Sequence, residues 1–135
     1  MTGANRAANA RAEINAARDA LRVAEAALGL GIRRDAMSRI YYAVFHAARA
    51  LLLLEGVEPK THAGVGRMLA EHLVRAGKLD AHAGLLVTRL QAYRQASDYS
   101  YAFEIDASDA TSELGAARAF VERAARDVEA TPVDP

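Results

Sequence analysis

Met37-Ser38-Arg39-Ile40-Tyr41-Tyr42-Ala43-Val44-Phe45-His46-Ala47-Ala48-Arg49-Ala50-Leu51-Leu52-Leu53-Leu54 is the stretch that decides the fold. Met37, Ile40, Tyr41, Val44, Ala48 and Leu51 fall on one stripe at about 100° per residue, the period of an α-helix. The spacing predicts a helix that starts near Arg34 and stops at Gly56 and Pro59. Upstream, Ile14, Ala17, Leu21, Ala24 and Leu28 form a second such seam, which Gly29 and Gly31 end. Downstream, Thr61 caps a helix with the seam Val65, Leu69, Leu73 and Ala76 and its stop at Gly77. Asp80 opens another, with Ala83, Leu86, Leu90 and Tyr93 facing inward. From Ser97 to Ser108 the pattern breaks and predicts a loop or irregular helix end. Asp106 or Ser108 then caps a last helix carrying Leu114, Ala117, Val121, Ala125 and Val128.

No segment alternates apolar and polar residues with strand-forming types, so the expected fold is all-α, an antiparallel up-and-down bundle of four or five helices. One domain over residues 9–130 is expected, with frayed ends at 1–8 and 131–135. The chain has no cysteine, no basic and apolar leader, and no apolar run near the roughly 18 residues that a membrane span requires. A cytoplasmic protein with no membrane contact is the expectation. Its four helix-end residues Leu51 to Leu54 make one end of the second helix apolar all round, which predicts cover by the bundle or by a second copy in a homodimer.

Basic and acidic residues balance at 17 each, so any contact with nucleic acid must be local. Only Lys60 and Lys78 among the basic residues are lysines; the excess of arginine suits bidentate phosphate binding and equally suits a GC-rich codon bias. On the second helix Asp35, Arg39, Tyr42, His46 and Arg49 line up on one face. Such a face can hold a phosphate and stack a base, or be a solvated face or a polar dimer seam. Pro59-Lys60-Thr61-His62-Ala63-Gly64 puts Lys60 and His62 at a helix entry, a second anion candidate. No histidine pair has metal-ligand spacing and no phosphate-binding glycine loop follows a strand, so neither metal nor cofactor is expected. The densest local signal is Tyr93-Arg94-Gln95-Ala96-Ser97-Asp98-Tyr99-Ser100-Tyr101, with an arginine, a carboxylate and phenols at a helix end. Its plain alternative is an Arg94 to Asp98 pair beside tyrosines that close the bundle.

The run Ser38 to His46, continued through Ala47 to Gly56, through Lys60-Thr61-His62-Ala63-Gly64 and into Arg94 to Tyr99, resembles the small stand-alone prokaryotic branch of the HEPN domain family. The resemblance spans about Arg34 to Glu122. It implies a helical bundle, usually dimeric, associated with RNA or nucleotides and often paired with a minimal nucleotidyltransferase as a toxin–antitoxin system. Active ribonucleases of the family carry an arginine, four to six residues, a histidine, one residue and a tyrosine. Here Arg94 matches the arginine, Tyr99 stands in the histidine place and Tyr101 matches the tyrosine. A phenol with a pKa of about 10 is a poor base at neutral pH, whereas histidine titrates there. The expected function is therefore an RNA- or nucleotide-binding module acting through Arg39, Tyr42, His46, Arg94, Asp98, Tyr99, Tyr101, Lys60 and His62. The resemblance also makes Tyr101 a candidate for adenylylation by the partner. A metal-independent endoribonuclease is the first alternative, with Arg94, Tyr99 and His46 as catalytic candidates and His46 supplying the proton. A ligand-free interaction scaffold is the second.

Overall fold

The computed structural model describes residues 3–100 and 103–132. Five helices follow one another: α1 (Gly3–Gly29), α2 (Arg33–Leu54), α3 (His62–Leu69), α4 (Ala81–Tyr99) and α5 (Ala107–Glu129), with no strand among the described residues. The all-α bundle read from the seams is the observed fold.

The chain reverses between α1 and α2 at Gly31, where φ is 75°. There the Ile32 amide reaches the Ala27 carbonyl and the Gly31 amide that of Leu28, which ties off the last carbonyls of α1. A side chain at Gly31 would strain that left-handed backbone. Gly56 ends α2 in the same way, with Val57 bonded to Leu52. Side-chain caps start the later helices: Thr61 accepts from Gly64, Asp80 from Ala83, and Asp106 from Asp109 at 2.7 Å. Of the two residues expected to cap α5, Asp106 therefore does so.

α2 lies at the centre. α1 pairs with it along a seam of buried alanines, Ala10, Ala17, Ala20 and Ala24 against Ala43, Ala47 and Ala50, whose small side chains let two helices approach closely. α5 closes a second side with Leu114, Phe120, Val121 and Val128. α4 lies on a third side of α2. α3 continues into a π-helical turn, Ala70–Val74, with the Arg75 amide bonded to Ala70. Two glycines let α3 and its π turn press against α4. A Cβ at Gly66 would meet Thr88 at 2.8 Å, and one at Gly84 would meet Val74 at 2.7 Å.

Several expectations change. α1 begins at Gly3 and buries Ala7, inside the stretch expected to fray, and Thr131 is partly buried; residues 133–135 lie outside the described residues. Ala76 is exposed, because the π turn ends the helix at Val74, with Leu73 buried and Val74 partly buried, and Ala76 falls in the turn that follows. α4 runs on through Tyr99 with Ser97 buried, so the irregular segment is shorter than periodicity indicated. The physical reason is Arg34. Its guanidinium donates to the carbonyls of Ser97, Ser100 and Phe103, and so satisfies a helix end that has no glycine cap. Leu51, Leu52 and Leu53 are buried and Leu54 is half-buried within the single chain, packed near Leu73 and Leu79. The leucine run therefore needs no second copy to cover it.

The glycines give a test with two signs. Gly115→Ala, in open space on α5, is expected to stabilise by up to about 1 kcal/mol through helix propensity. Gly84→Ala gains the same propensity but drives a methyl into Val74, whose β-branched side chain has few rotamers to retreat to, and should lose a net 1–3 kcal/mol, roughly. Thermal or urea unfolding of the two variants checks this, and equal shifts would mean that α4 moves freely off the π turn.

Candidate functional site

The polar face of α2 emerges in the seam between α1 and α4. Its members are held from different elements. Arg94, from the last turns of α4, lays its guanidinium 5.3 Å from the Tyr41 ring and 5.1 Å from the Tyr42 ring. His62, the first residue of α3, stacks on Phe45 with ring centres 4.2 Å apart and planes 7° from parallel. Tyr41 is buried on α2, yet its hydroxyl lies 3.1 Å from His62 Nδ1. Burial pushes the Tyr41 phenol above its usual range against the pull of Arg94, so it remains protonated at neutral pH. Burial, and then the charges of Arg94, Arg49 and His46, hold the His62 imidazole below its ordinary pKa. Three elements thus converge on one aromatic floor with cations at its edge.

On the α1 side, Glu13 organises a second group. Its carboxylate accepts from His46 Nδ1 at 2.6 Å and from Arg49 Nε at 3.1 Å. Burial alone would raise the Glu13 pKa, but these hydrogen bonds and charges outweigh it and hold the carboxyl below its ordinary range. With Nδ1–H committed to Glu13, His46 Nε2 is the nitrogen that faces away from the carboxylate. Arg49 is further fixed by the Pro59 carbonyl at 3.3 Å.

The structure brings Tyr42, His46, Arg94 and His62 together around Tyr41 and Phe45, and Arg39 joins them with its guanidinium 5.8 Å from the Tyr42 ring. It leaves the rest at the margin. Tyr99 is 90% exposed on the last turn of α4, Asp98 sits 3.9 Å from Arg94 and is itself mostly exposed, and Asp35 and Lys60 are exposed. Tyr101 lies outside the described residues. Among the described residues, no three histidine or carboxylate side chains converge as a metal set, and no helix is long and apolar enough to cross a membrane. Glu13, Phe45 and the hydroxyl of Tyr41 were not legible as site residues. Glu13 is one of three carboxylates in an alanine-rich helix, and its one signal is its place beside Ile14 on the buried seam.

Glu13 gives a pH prediction. Because its folded pKa is depressed, its contribution to stability is present above the ordinary carboxylate pKa and is lost as pH falls through the lower folded value. Glu13→Gln should cost about 1–3 kcal/mol at pH 7, since His46 and Arg49 lose a charged acceptor. The gap to wild type should narrow as pH drops below about 4.5. Urea unfolding at pH 7 and pH 3 measures it; a gap that is constant with pH would remove Glu13 from this role.

The HEPN domain family matches residues 10–128. A protein of Methanocaldococcus jannaschii named "Putative toxin" is 38% identical over 90 residues, covering 67% of this chain and 66% of that protein. A second protein of the same name and organism is 34% identical over 88 residues, covering 65% and 60%. A "UPF0332 protein" of Pyrococcus horikoshii is 52% identical over 50 residues, covering 37% and 35%. The matches span no more than 66% of these relatives' own lengths. With the family matched along nearly all of α1 to α5, the chain belongs to the HEPN domain family.

Proposed function

We propose that the chain is a HEPN-type RNA- or nucleotide-binding module, the partner of a nucleotidyltransferase in a toxin–antitoxin-like system. The observation that carries the binding role is Arg94 laid across Tyr41 and Tyr42 beside the stacked pair of His62 and Phe45. A guanidinium without a close carboxylate can take a phosphate, and aromatic faces beside it can take a base. Asp98, at 3.9 Å and mostly exposed, is too weakly placed to neutralise Arg94. The toxin-like setting draws on two relatives that carry that word in their names, and the nucleotidyltransferase draws on the family. A homodimer belongs to the same proposal. Its support is the family's habit, since the leucines are covered within one chain.

A second reading, metal-independent endoribonuclease, is favoured by the Glu13 to His46 hydrogen bond. Cleavage would need the ribose 2′-OH to give up its proton as its oxygen attacks the adjacent phosphorus. The P–O5′ bond then breaks, and the departing 5′-oxygen takes up a proton. His46, held at Nδ1 by Glu13, presents Nε2 as the acceptor of the first proton, whereas Tyr99 is exposed at the margin of the site. Arg94 would meet the charge that builds on the phosphoryl oxygens.

Arg94→Ala should weaken RNA binding by about 1.5–3 kcal/mol, the range for a charge-assisted hydrogen bond, with a small change in melting temperature. Fluorescence anisotropy with a labelled single-stranded RNA measures it; unchanged affinity would place the ligand elsewhere, near Lys60. In EDTA at neutral pH the binding reading expects the RNA to remain intact. Cleavage by the wild type that disappears in both His46→Ala and Arg94→Ala would replace that reading with the second one. Titration of the His62 ring by NMR adds a local check: Arg94→Ala should move its pKa upward, because one of the charges that depress it is gone.

A further inference from the structure

Beside the Arg94 site, α1 and α2 leave an open cleft of about 500 Å³ between them. Ala16, Asp19, Ala20 and Val23 form its α1 wall, and Arg39, Tyr42 and His46 its α2 wall. Tyr42 belongs to both places. Its ring lies 5.1 Å from the Arg94 guanidinium and 5.8 Å from that of Arg39, so one phenol ring is shared by two cations, of which Arg39 lines the cleft and Arg94 does not.

We propose that this cleft is a second nucleotide subsite, contiguous with the Arg94 site through Tyr42, which makes the ligand a single-stranded RNA of at least two nucleotides. The inference rests on the binding reading above and settles its choice between a nucleotide and a strand. The volume falls within the range of small-ligand pockets and is ample for a base with its ribose. Its chemistry suits a base better than a phosphate. The walls of Ala16, Ala20 and Val23 and the Tyr42 ring are apolar or aromatic, and Val23 is half exposed. The one carboxylate at its edge, Asp19, repels a phosphate but accepts from an exocyclic base amine. It is also held by Arg22, which keeps it at the rim.

The cations are placed for the linking phosphates. Arg39 is exposed, lines the cleft and has no ion pair among the described residues, while Arg94 lies by the same ring outside the cleft lining. A strand that passes over Tyr42 thus meets both guanidinium groups and can place successive bases on different surfaces, one at the exposed His62 and one in the cleft. A mononucleotide can use only one half. Recognition of a flexible strand by alternating cations and rings is the general mode for single-stranded RNA.

The test compares adenosine 5′-monophosphate with the 5′-phosphorylated dinucleotide pApA by competition against a labelled RNA, with product length checked by chromatography. The wild type should bind pApA roughly tenfold more tightly than the monophosphate, the size expected for one further stacked base. Val23→Trp fills the cleft from an exposed helix position without changing charge, and Ala16→Leu fills it from a second position. Either variant, with its melting temperature unchanged, should cut the length advantage to less than about twofold and leave monophosphate binding as it was. Two results overturn the subsite: equal affinity of the wild type for both ligands, or a length advantage that survives both fillings. If Arg94→Ala binds both ligands as tightly as the wild type, the binding reading fails first and the subsite falls with it.

Discussion

Four helices compete for the circumference of α2. α1, α3, α4 and α5 all pack against it, and thirteen of its side chains are buried. A helix so enclosed can keep polar side chains only where two neighbours fail to meet, and on α2 that place is the seam between α1 and α4. Arg39, Tyr42, His46 and Arg49 emerge there, while Tyr41 stays buried and reaches His62 by its hydroxyl. Polar groups at the edge of a core must find partners or remain reachable by water. α1 supplies one partner in Glu13, and α4 lays Arg94 over the rings. The site is the consequence of packing a central helix that is not polar enough to be a surface helix and not apolar enough to be a core one.

The same constraint explains a local rule that the sequence breaks. Arg33 and Arg34 stand in the first turn of α2, where the helix dipole disfavours cations, and no side chain caps that turn. The cost is offset across the bundle. α4 ends beside the start of α2, and Arg34 gives its donors to the carbonyls of Ser97, Ser100 and Phe103. A cation is well placed at that negative end. The residue thus extends α4 past the point where glycine or proline would be expected to stop it. Arg94 then stands on regular helix, and helices hold a side chain to a narrower range of positions than loops do.

The sequence made the helices legible because the core stripes repeat over several turns and the last three helices each start with an oxygen-bearing cap. Thr61, Asp80 and Asp106 could be read directly. Legibility failed where the deciding contact was not local. The end of α4 depends on Arg34, distant in sequence, and the cover over Leu51 to Leu54 depends on the π turn and the segment after it. The site divides along the same line. Residues on α2 and Arg94 stand out as polar side chains at helical spacing or in a dense cluster. Tyr41 was assigned to the core by periodicity, correctly for its ring and incompletely for its hydroxyl. Glu13 and the α1 wall of the cleft, Ala16, Ala20 and Val23, have no motif at all, because their role is to face another helix.

Zero net charge at first argues against a polyanionic ligand, but the balance is not uniform over the surface. Arg18, Arg22, Arg67, Arg89, Arg118 and Arg123 each have a carboxylate within 4 Å. Glu13, the carboxylate that reaches the seam from α1, already accepts from both His46 and Arg49. What remains there is Arg94 and Arg39, with Asp98 only loosely opposed to Arg94. Surface ion pairs elsewhere contribute little to stability, yet each cancels a local charge that would otherwise attract a phosphate nonspecifically. Both guanidinium groups lie near the Tyr42 ring, which with His62 is the part of the aromatic cluster open to solvent, Tyr41 and Phe45 being buried. On the binding reading proposed above, a neutral protein arranged this way has little long-range attraction for duplex backbones and relies on short-range contacts with strands whose bases are free to stack.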